Sequence, residues 1–299
     1  LDRKSQRFFR TRAAQPYDER IIRFCADDLV SIWSVEGRLK IPCALADRQR
    51  SLLPFRKGEV DLMFLRGEWY LACVCDVDEP EVIKTMEVLG VDLGIASIAT
   101  DSTGESFSRK AVEKNRRRYA HRRRNLQRQR TRGAKRKLRK LSGRQARFQK
   151  DANHVVSKTL VAKARTLPAA IALEDLKGIR SRVKARRRQR AALSNWGFHQ
   201  LRQFLSYKAR LAGVPLVSVD PRHTSQTCPA CGFLSKANRK TRDDFVCGSC
   251  GLAGPADHIA ALNIRLAGLK ARAAVNSANG DGVSAFPLSH VAPVTSPTL

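Results

Sequence analysis

The chain has 299 residues, with 57 Lys or Arg against 27 Asp or Glu and a formal charge of +30. That length can bury a sizeable core in one or two domains, and no apolar run reaches the roughly 18 residues of a membrane span. An excess of this size raises association with polyanions and says nothing about fold, and with no membrane span and no secretory apolar core the expected polyanion is nucleic acid in the cytoplasm.

The chain opens on Leu1 rather than Met, which points to a missing N-terminal portion. Residues 1–87 read as a β-rich domain. Leu62–Phe64 and Trp69–Val77 have strand composition, and Arg66, Gly67 and Glu68 suit the connection of a hairpin. Cys73 and Cys75 fall on one face with Leu71 and Val77 and read as small buried hydrophobes.

The run Val88–Ala99, VLGVDLGIASIA, has the apolar content of a strand buried on both faces, yet it carries Asp92. A buried carboxylate must be paired, hydrogen-bonded or bound to metal. Gly90 and Gly94 flank it and would admit another backbone or a phosphate ester. A second strand from about Ser97, the turn Asp101–Gly104 and a short strand at Ser106 and Phe107 complete an antiparallel meander. A meander followed by helix is how an RNase H-like α/β domain begins, and many other folds begin so too.

Residues 109–150 hold 20 Lys or Arg and one acid, Glu113. Helix formers dominate and Gly133 and Gly143 are the only breakers, so the pattern predicts one long basic helical segment continuing to about Arg165. Leu126, Leu138, Leu141 and Phe148 give it a thin apolar stripe. Its expected nucleic-acid contacts are Arg116, Arg117, Arg122, Arg123, Arg124, Arg128, Lys135, Arg136 and Arg139. No base-reading motif accompanies them, so the surface should grip backbone rather than sequence.

Pro168 ends the helix, and Ala169–Leu173 reads as a short strand with a second carboxylate, Glu174, at its end. Residues 177–190 form another basic stretch, read as a mobile loop, in which Arg186, Arg187 and Arg188 join the expected contacts. Asn195 can cap a helix with an apolar face of Phe198, Leu201, Phe204, Leu205 and Leu211, stopped by Gly213, before a strand at Val214–Val219.

Cys228-Pro-Ala-Cys231 and Cys247-Gly-Ser-Cys250 are two knuckles 15 residues apart. Their spacing lets four thiolates close on one tetrahedral ion, with no position left for water, so the expected zinc is structural. Eight cysteines, four of them in these CxxC pairs, and no signal peptide fit a reducing compartment rather than disulfides. Asp257 then opens a helix bearing Ile259, Leu262, Ile264 and Leu266. Residues 273–299 read as a disordered tail.

Taken singly, Asp92 reads as a strand end, Glu174 as a strand edge and Asp257 as an N-cap. Together they are three hard oxygen donors with no His or Cys among them, a set that suits Mg²⁺ or Mn²⁺ and a two-ion arrangement.

The stretches GVDLG (90–94), LEDLKG (173–178), WGFHQLRQFLSYKARLAGVPLVSVDPRHTSQTCPACG (196–232) and DHIAALNI (257–264) resemble the transposon-encoded TnpB (OrfB) proteins, relatives of the type V CRISPR effector nucleases. The resemblance covers about residues 62–270. It implies an RNA-guided, metal-dependent DNA endonuclease, with guide RNA and double-stranded DNA as partners and Asp92, Glu174 and Asp257 as the acids of a RuvC centre. It further implies a wedge-like domain over 1–87, an RNase H-like core over 88–220, the zinc ribbon over 221–252 and a final nuclease segment over 253–272. Two features depart from the family pattern: Ile259 stands where members carry Asn, and no helical recognition lobe is visible. The alternatives are a guided DNA-binding repressor with a weak or inactive centre, and an RNA-independent RNase H-fold transposase or resolvase.

Overall fold

The computed structural model describes residues 12–65, 67–94, 97–176 and 197–278. Arg186, Arg187, Arg188, the rest of the second basic stretch and the Asn195 cap lie outside the described residues, as does 279–299. The chain divides into two compact units, Leu1–Glu79 and Pro80–Leu299. Charge divides with them. The first unit holds 14 Lys or Arg against 13 acids, the second 43 against 14.

The first unit is built from β1 (Gln15–Tyr17), β2 (Ile22–Phe24), β3 (Leu29–Ser34), β4 (Gly37–Pro42), the short helix α1 (Asp47–Leu52), β5 (Arg56–Leu65) and β6 (Glu68–Cys75). They pair as two antiparallel three-stranded sheets, β1-β5-β6 and β2-β3-β4. The β5–β6 hairpin forms where its sequence predicts, with β5 reaching back to Arg56. Cys73 packs with Tyr17, Phe24, Cys43 and Leu71 around Ile22, Val30, Ile32 and Val60, and burial pushes its thiol up. A shielded, protonated thiol is a packing group, in keeping with the composition of the strand.

The second unit is a five-stranded mixed sheet with helices on both faces. β7 (Val88–Asp92), β8 (Ser97–Asp101) and β9 (Ser106–Ser108) form the antiparallel meander; β10 (Ala170–Glu174) and β11 (Leu216–Val219) add in parallel, giving the order β11-β10-β7-β8-β9. Helices α2 (Lys110–Gln129), α3 (Arg132–Thr166), α4 (Phe198–Leu211) and α5 (Ala256–Ala278) complete it. Side chains alternate along β7. Leu89 and Val91 enter a core with Val156 and Leu160 of α3 and Leu201 and Leu205 of α4, while Val88 packs with Ile264 of α5. At Gly90 a Cβ would come 2.2 Å from the Ala261 carbonyl oxygen, so of the two partners the sequence allowed, it is a helix backbone that fills the space.

Two sequence expectations are corrected. The basic segment is two helices rather than one: Arg130 takes a left-handed conformation (φ 50°) and Thr131 caps α3 by accepting the Ala134 N–H at 3.1 Å. The break uses neither glycine, since Gly133 lies inside the first turn of α3, where its lack of Cβ is tolerated. At the other end α5 runs on to Ala278 and takes in the first six residues of the predicted tail, because its Ala-rich sequence costs little in helical form.

A buried ion pair ties the meander to α3. Asp101, fully buried, accepts from Lys163 Nζ at 2.5 Å on one oxygen, and from the Thr103 N–H, the Thr103 hydroxyl and the Glu105 N–H on the other. Burial alone would raise the carboxyl; the Lys163, Thr103 and Glu105 donors hold it below its ordinary value.

Candidate active site

Asp92 ends β7 and Glu174 ends β10. These strands pair in parallel with Leu173 opposite Val91, so both acids stand side by side at the C-terminal ends of two adjacent inner strands. Asp257 is the second residue of α5, the helix that crosses the sheet against Gly90. The three sequence-predicted acids, up to 165 positions apart in the chain, therefore meet.

Their proximity is read from Asp92. Burial, then the charges of Glu174 and Asp257, push its carboxyl up to about 8, against the opposing pull of Arg239 and the Leu93 N–H. Burial raises Glu174 as well, and the Thr224 hydroxyl works against that rise. Carboxylates crowded in this way cannot all ionise without a counter-charge. Among the described residues only the four cysteines bring all their donor atoms within 4.8 Å of one another, so the acids stand wider than a single tight coordination sphere.

Further residues frame this centre, and sequence patterns did not single them out. Thr224 Oγ1 donates to Glu174 Oε1 at 2.6 Å. Arg202 of α4 grips the same strand end, donating from Nη1 to the Glu174 carbonyl at 3.2 Å and to Asp175 Oδ1 at 3.1 Å, and from Nη2 to Ser218 Oγ at 3.0 Å. Arg239, carried by the cysteine-bearing segment, places Nη2 3.9 Å from Asp257 Oδ1 while donating to the Arg242 carbonyl. Each comes from a different element, so only the tertiary fold reveals them.

Ile259 is buried with Cys228, Phe245, Cys247 and Ala256, in the core joining the ribbon to α5. The departure from the family pattern is thus a packing residue of the ribbon. The ribbon itself has a two-stranded sheet, β12 (Asp244–Val246) with β13 (Ala253–Pro255). Sγ atoms of Cys228 and Cys250 lie 3.6 Å apart, as do those of Cys231 and Cys247. A tetrahedral ion with bonds of about 2.3 Å needs sulfurs roughly 3.8 Å apart, so the donors fit zinc. The Cys250 and Ser249 N–H groups point at Cys247 Sγ and favour its thiolate, holding it down to about 6.

The expected nucleic-acid contacts on α2 and α3 separate into two groups. Arg122, Arg123, Arg124, Arg128, Lys135, Arg136 and Arg139 are exposed. Arg116 is half-buried and donates through Nε and Nη2 to both oxygens of Glu113, each at 2.7 Å, and Arg117 joins at 2.9 Å. The Arg116 and Arg117 guanidiniums hold Glu113 down to about 2. This pair braces the start of α2 as well as adding charge. No helix among the described residues is long and apolar enough to cross a membrane.

Comparison with known proteins gives two family matches. A family described as "Probable transposase" (OrfB) matches residues 72–193, and one described as "Cas12f1-like, TNB domain" matches 198–264. The CRISPR-associated endodeoxyribonuclease Cas12f1 of Sulfoacidibacillus thermotolerans is 30% identical over 219 residues, 67% of this chain and 50% of that one. The putative RNA-guided DNA endonuclease InsQ of Escherichia coli K12 is 31% identical over 222 residues, 68% and 54% of the two chains. The TnpB-like protein MJ0751 of Methanocaldococcus jannaschii is 34% identical over 128 residues, 42% and 45%. The chain spans about half the length of these curated relatives. Among solved structures, that of a Cas12f1–sgRNA–target DNA complex aligns with a TM-score of 0.51 at 17% identity, covering 85% of this chain and 66% of that one. The mini-RNA-guided endonuclease CRISPR-Cas_phi3 aligns at 0.52 and 15%, covering 81% and 57%. At such identities the likeness speaks to the fold alone.

Proposed function

The chain belongs to the TnpB (OrfB) family, and from that premise we propose that it is an RNA-guided, divalent-metal-dependent DNA endonuclease with Asp92, Glu174 and Asp257 as its RuvC centre. The observation that carries this reading is the convergence of three carboxylates, from β7, β10 and α5, on one centre where the charges of Glu174 and Asp257 add to burial in raising the proton affinity of Asp92. The sheet supports it. An order in which the first three strands form a meander and the next two add in parallel beside the first is the RNase H-like arrangement, and the acids stand at its strand ends and on the crossing helix.

The donor set suits Mg²⁺ or Mn²⁺, held by Asp92, Glu174 and Asp257. Bound there, the ions supply Lewis-acid activation of water and charge stabilisation at the leaving 3′ oxygen. The remaining roles fall to this chain's own groups. Arg202 and Thr224 fix Glu174 from its backbone and its side chain. Arg239 brings a positive charge beside Asp257, where a scissile phosphate must approach. The exposed arginines of α2 and α3 hold nucleic-acid backbone while base pairing with the guide reads the target. Cys228, Cys231, Cys247 and Cys250 would hold a zinc ion that ties the ribbon, and with it Arg239, to α5. Ile259, at the position where family members carry Asn, is buried in the ribbon core and offers the acids no polar group.

The test is to sequence the RNA that survives purification of the full chain at high salt. One discrete species with a defined scaffold is expected, and DNA matched to its guide segment should then be cut. Heterogeneous RNA, with sequence-specific DNA binding by RNA-free protein, would favour the unguided transposase instead.

A further inference from the structure

The segment between β11 and the first cysteine knuckle, residues 220–227, is a turn with more hydrogen bonds than its length requires. The N–H groups of Gln226 and Thr227 both donate to the His223 carbonyl, at 2.9 and 3.0 Å, as does the Thr227 hydroxyl at 2.9 Å. From outside the turn, Asn263 of α5 spends both amide hydrogens on it, donating to the Thr224 and Thr227 carbonyls at 2.7 Å each. Asn263 lies six residues after Asp257 on the same helix. At the centre of the turn Thr224 is 8% exposed, with its hydroxyl 2.6 Å from Glu174 Oε1 and 3.1 Å from the Pro221 carbonyl. A hydroxyl has one hydrogen to give. The shorter, charge-assisted bond to the carboxylate claims it.

We propose that Thr224 is a positioning residue of the acidic centre: it selects one orientation of the Glu174 carboxylate, and Asn263 makes that orientation depend on the helix that carries Asp257. The inference rests on the reading of the three acids as a divalent-cation site. Glu174 has three side-chain torsions, and a strand end fixes none of them. The Thr224 bond restricts them by holding one carboxylate oxygen and leaving Oε2 for a cation. Because the turn is latched to α5, Glu174 and Asp257 are set in mutual register although 83 positions separate them. A turn that served only to join β11 to the ribbon would need Asn263 and the His223 carbonyl, but no hydroxyl aimed at an acid.

The experiment is Mn²⁺ binding to the purified full chain, followed by calorimetry, in wild type, Thr224→Val, Thr224→Ser and Asp92→Asn, with melting temperature and zinc content measured alongside. Partners that orient metal ligands typically contribute 10–100-fold to affinity, so Thr224→Val should bind Mn²⁺ at least about tenfold more weakly, with Thr224→Ser within about threefold of wild type. Melting temperature and zinc content of the two Thr224 variants should not move. The Mg²⁺ concentration for half-maximal DNA cutting should rise in parallel. Equal Mn²⁺ affinity in wild type and Thr224→Val overturns the proposal, as does a serine variant as weak as the valine one. Should Thr224→Val melt early or lose zinc, Thr224→Ala, which adds no bulk, takes its place under the same criteria. Asp92→Asn separates the two levels of inference: Mn²⁺ binding indifferent to Asp92 refutes the metal site itself, whereas binding that needs Asp92 but not the Thr224 hydroxyl refutes only the positioning role.

Discussion

Neutralising Asp92 should destroy cutting and yet stabilise the protein. In magnesium-free buffer at pH 7 the folded Asp92, pushed up to about 8, is mostly protonated, whereas the unfolded side chain, near 3.8, is ionised. The folded state therefore binds more protons than the unfolded state between about pH 4 and pH 8. Stability must fall as pH rises through that window, by up to about 1.4 kcal/mol per unit, and level off above it. Across the three units from 4 to 7 this reaches about 4 kcal/mol. Asp92→Asn removes the titration but must seat a desolvated amide, which offsets part of the gain, so a net stabilisation on the order of 2–4 kcal/mol at pH 7 is expected. Urea melts of the nucleic-acid-free chain from pH 5 to pH 8 measure it, with zinc retained. Wild type and variant should converge at pH 5 and diverge toward pH 8, and Mg²⁺ should raise wild-type stability while leaving the variant unmoved. Parallel curves across the pH range would show that Asp92 is not crowded by Glu174 and Asp257, and the argument for a shared centre would fail.

Other perturbations test separate parts of the structure. Lys163→Met strands the buried Asp101 carboxylate and should cost about 3–5 kcal/mol near neutral pH, much of it regained in Lys163→Met/Asp101→Asn. Because Asp101 is held below its ordinary value, this contribution is present above about pH 4 and is lost as pH falls through its folded value; denaturant melts at pH 3 and pH 7 will show the difference. Gly90→Ala drives a methyl into the α5 backbone and should cost about 3 kcal/mol or more, read as a lowered midpoint in urea; an unchanged midpoint would contradict the packing of α5 on the sheet. Replacing Arg122, Arg123 and Arg124 by Gln should flatten the dependence of DNA affinity on salt by about 0.9 in log–log slope for each phosphate no longer neutralised, whatever the DNA sequence.

Much of the second unit was legible in its sequence because the signals were local. The apolar run at 88–92, the meander turn at 101–104 and the cysteine spacing each encode their geometry within a few residues, and all three appear in the structure. The break between α2 and α3 was not legible: Arg130 adopts a left-handed conformation without a glycine, and Ala134 stands three residues after the Thr131 cap where a capping box would carry Glu or Gln. The partners of the acids were invisible for another reason. Thr224, Arg202, Arg239 and Asn263 are ordinary polar residues in sequence, and they acquire roles only when β10, α4, the ribbon and α5 are brought together. Gly90 lay between these cases: its sequence announced a close approach, and only the fold identified the approaching helix.

The central claim is that Asp92, Glu174 and Asp257 together hydrolyse DNA. The most direct measurement is Mg²⁺-dependent cutting of a duplex matched to the co-purified RNA, in wild type, Asp92→Ala and Glu174→Gln, with binding to the same RNA and duplex followed in parallel. Wild type should cut, neither variant should, and binding should be nearly unchanged in all three. Cutting retained in either variant would contradict the claim.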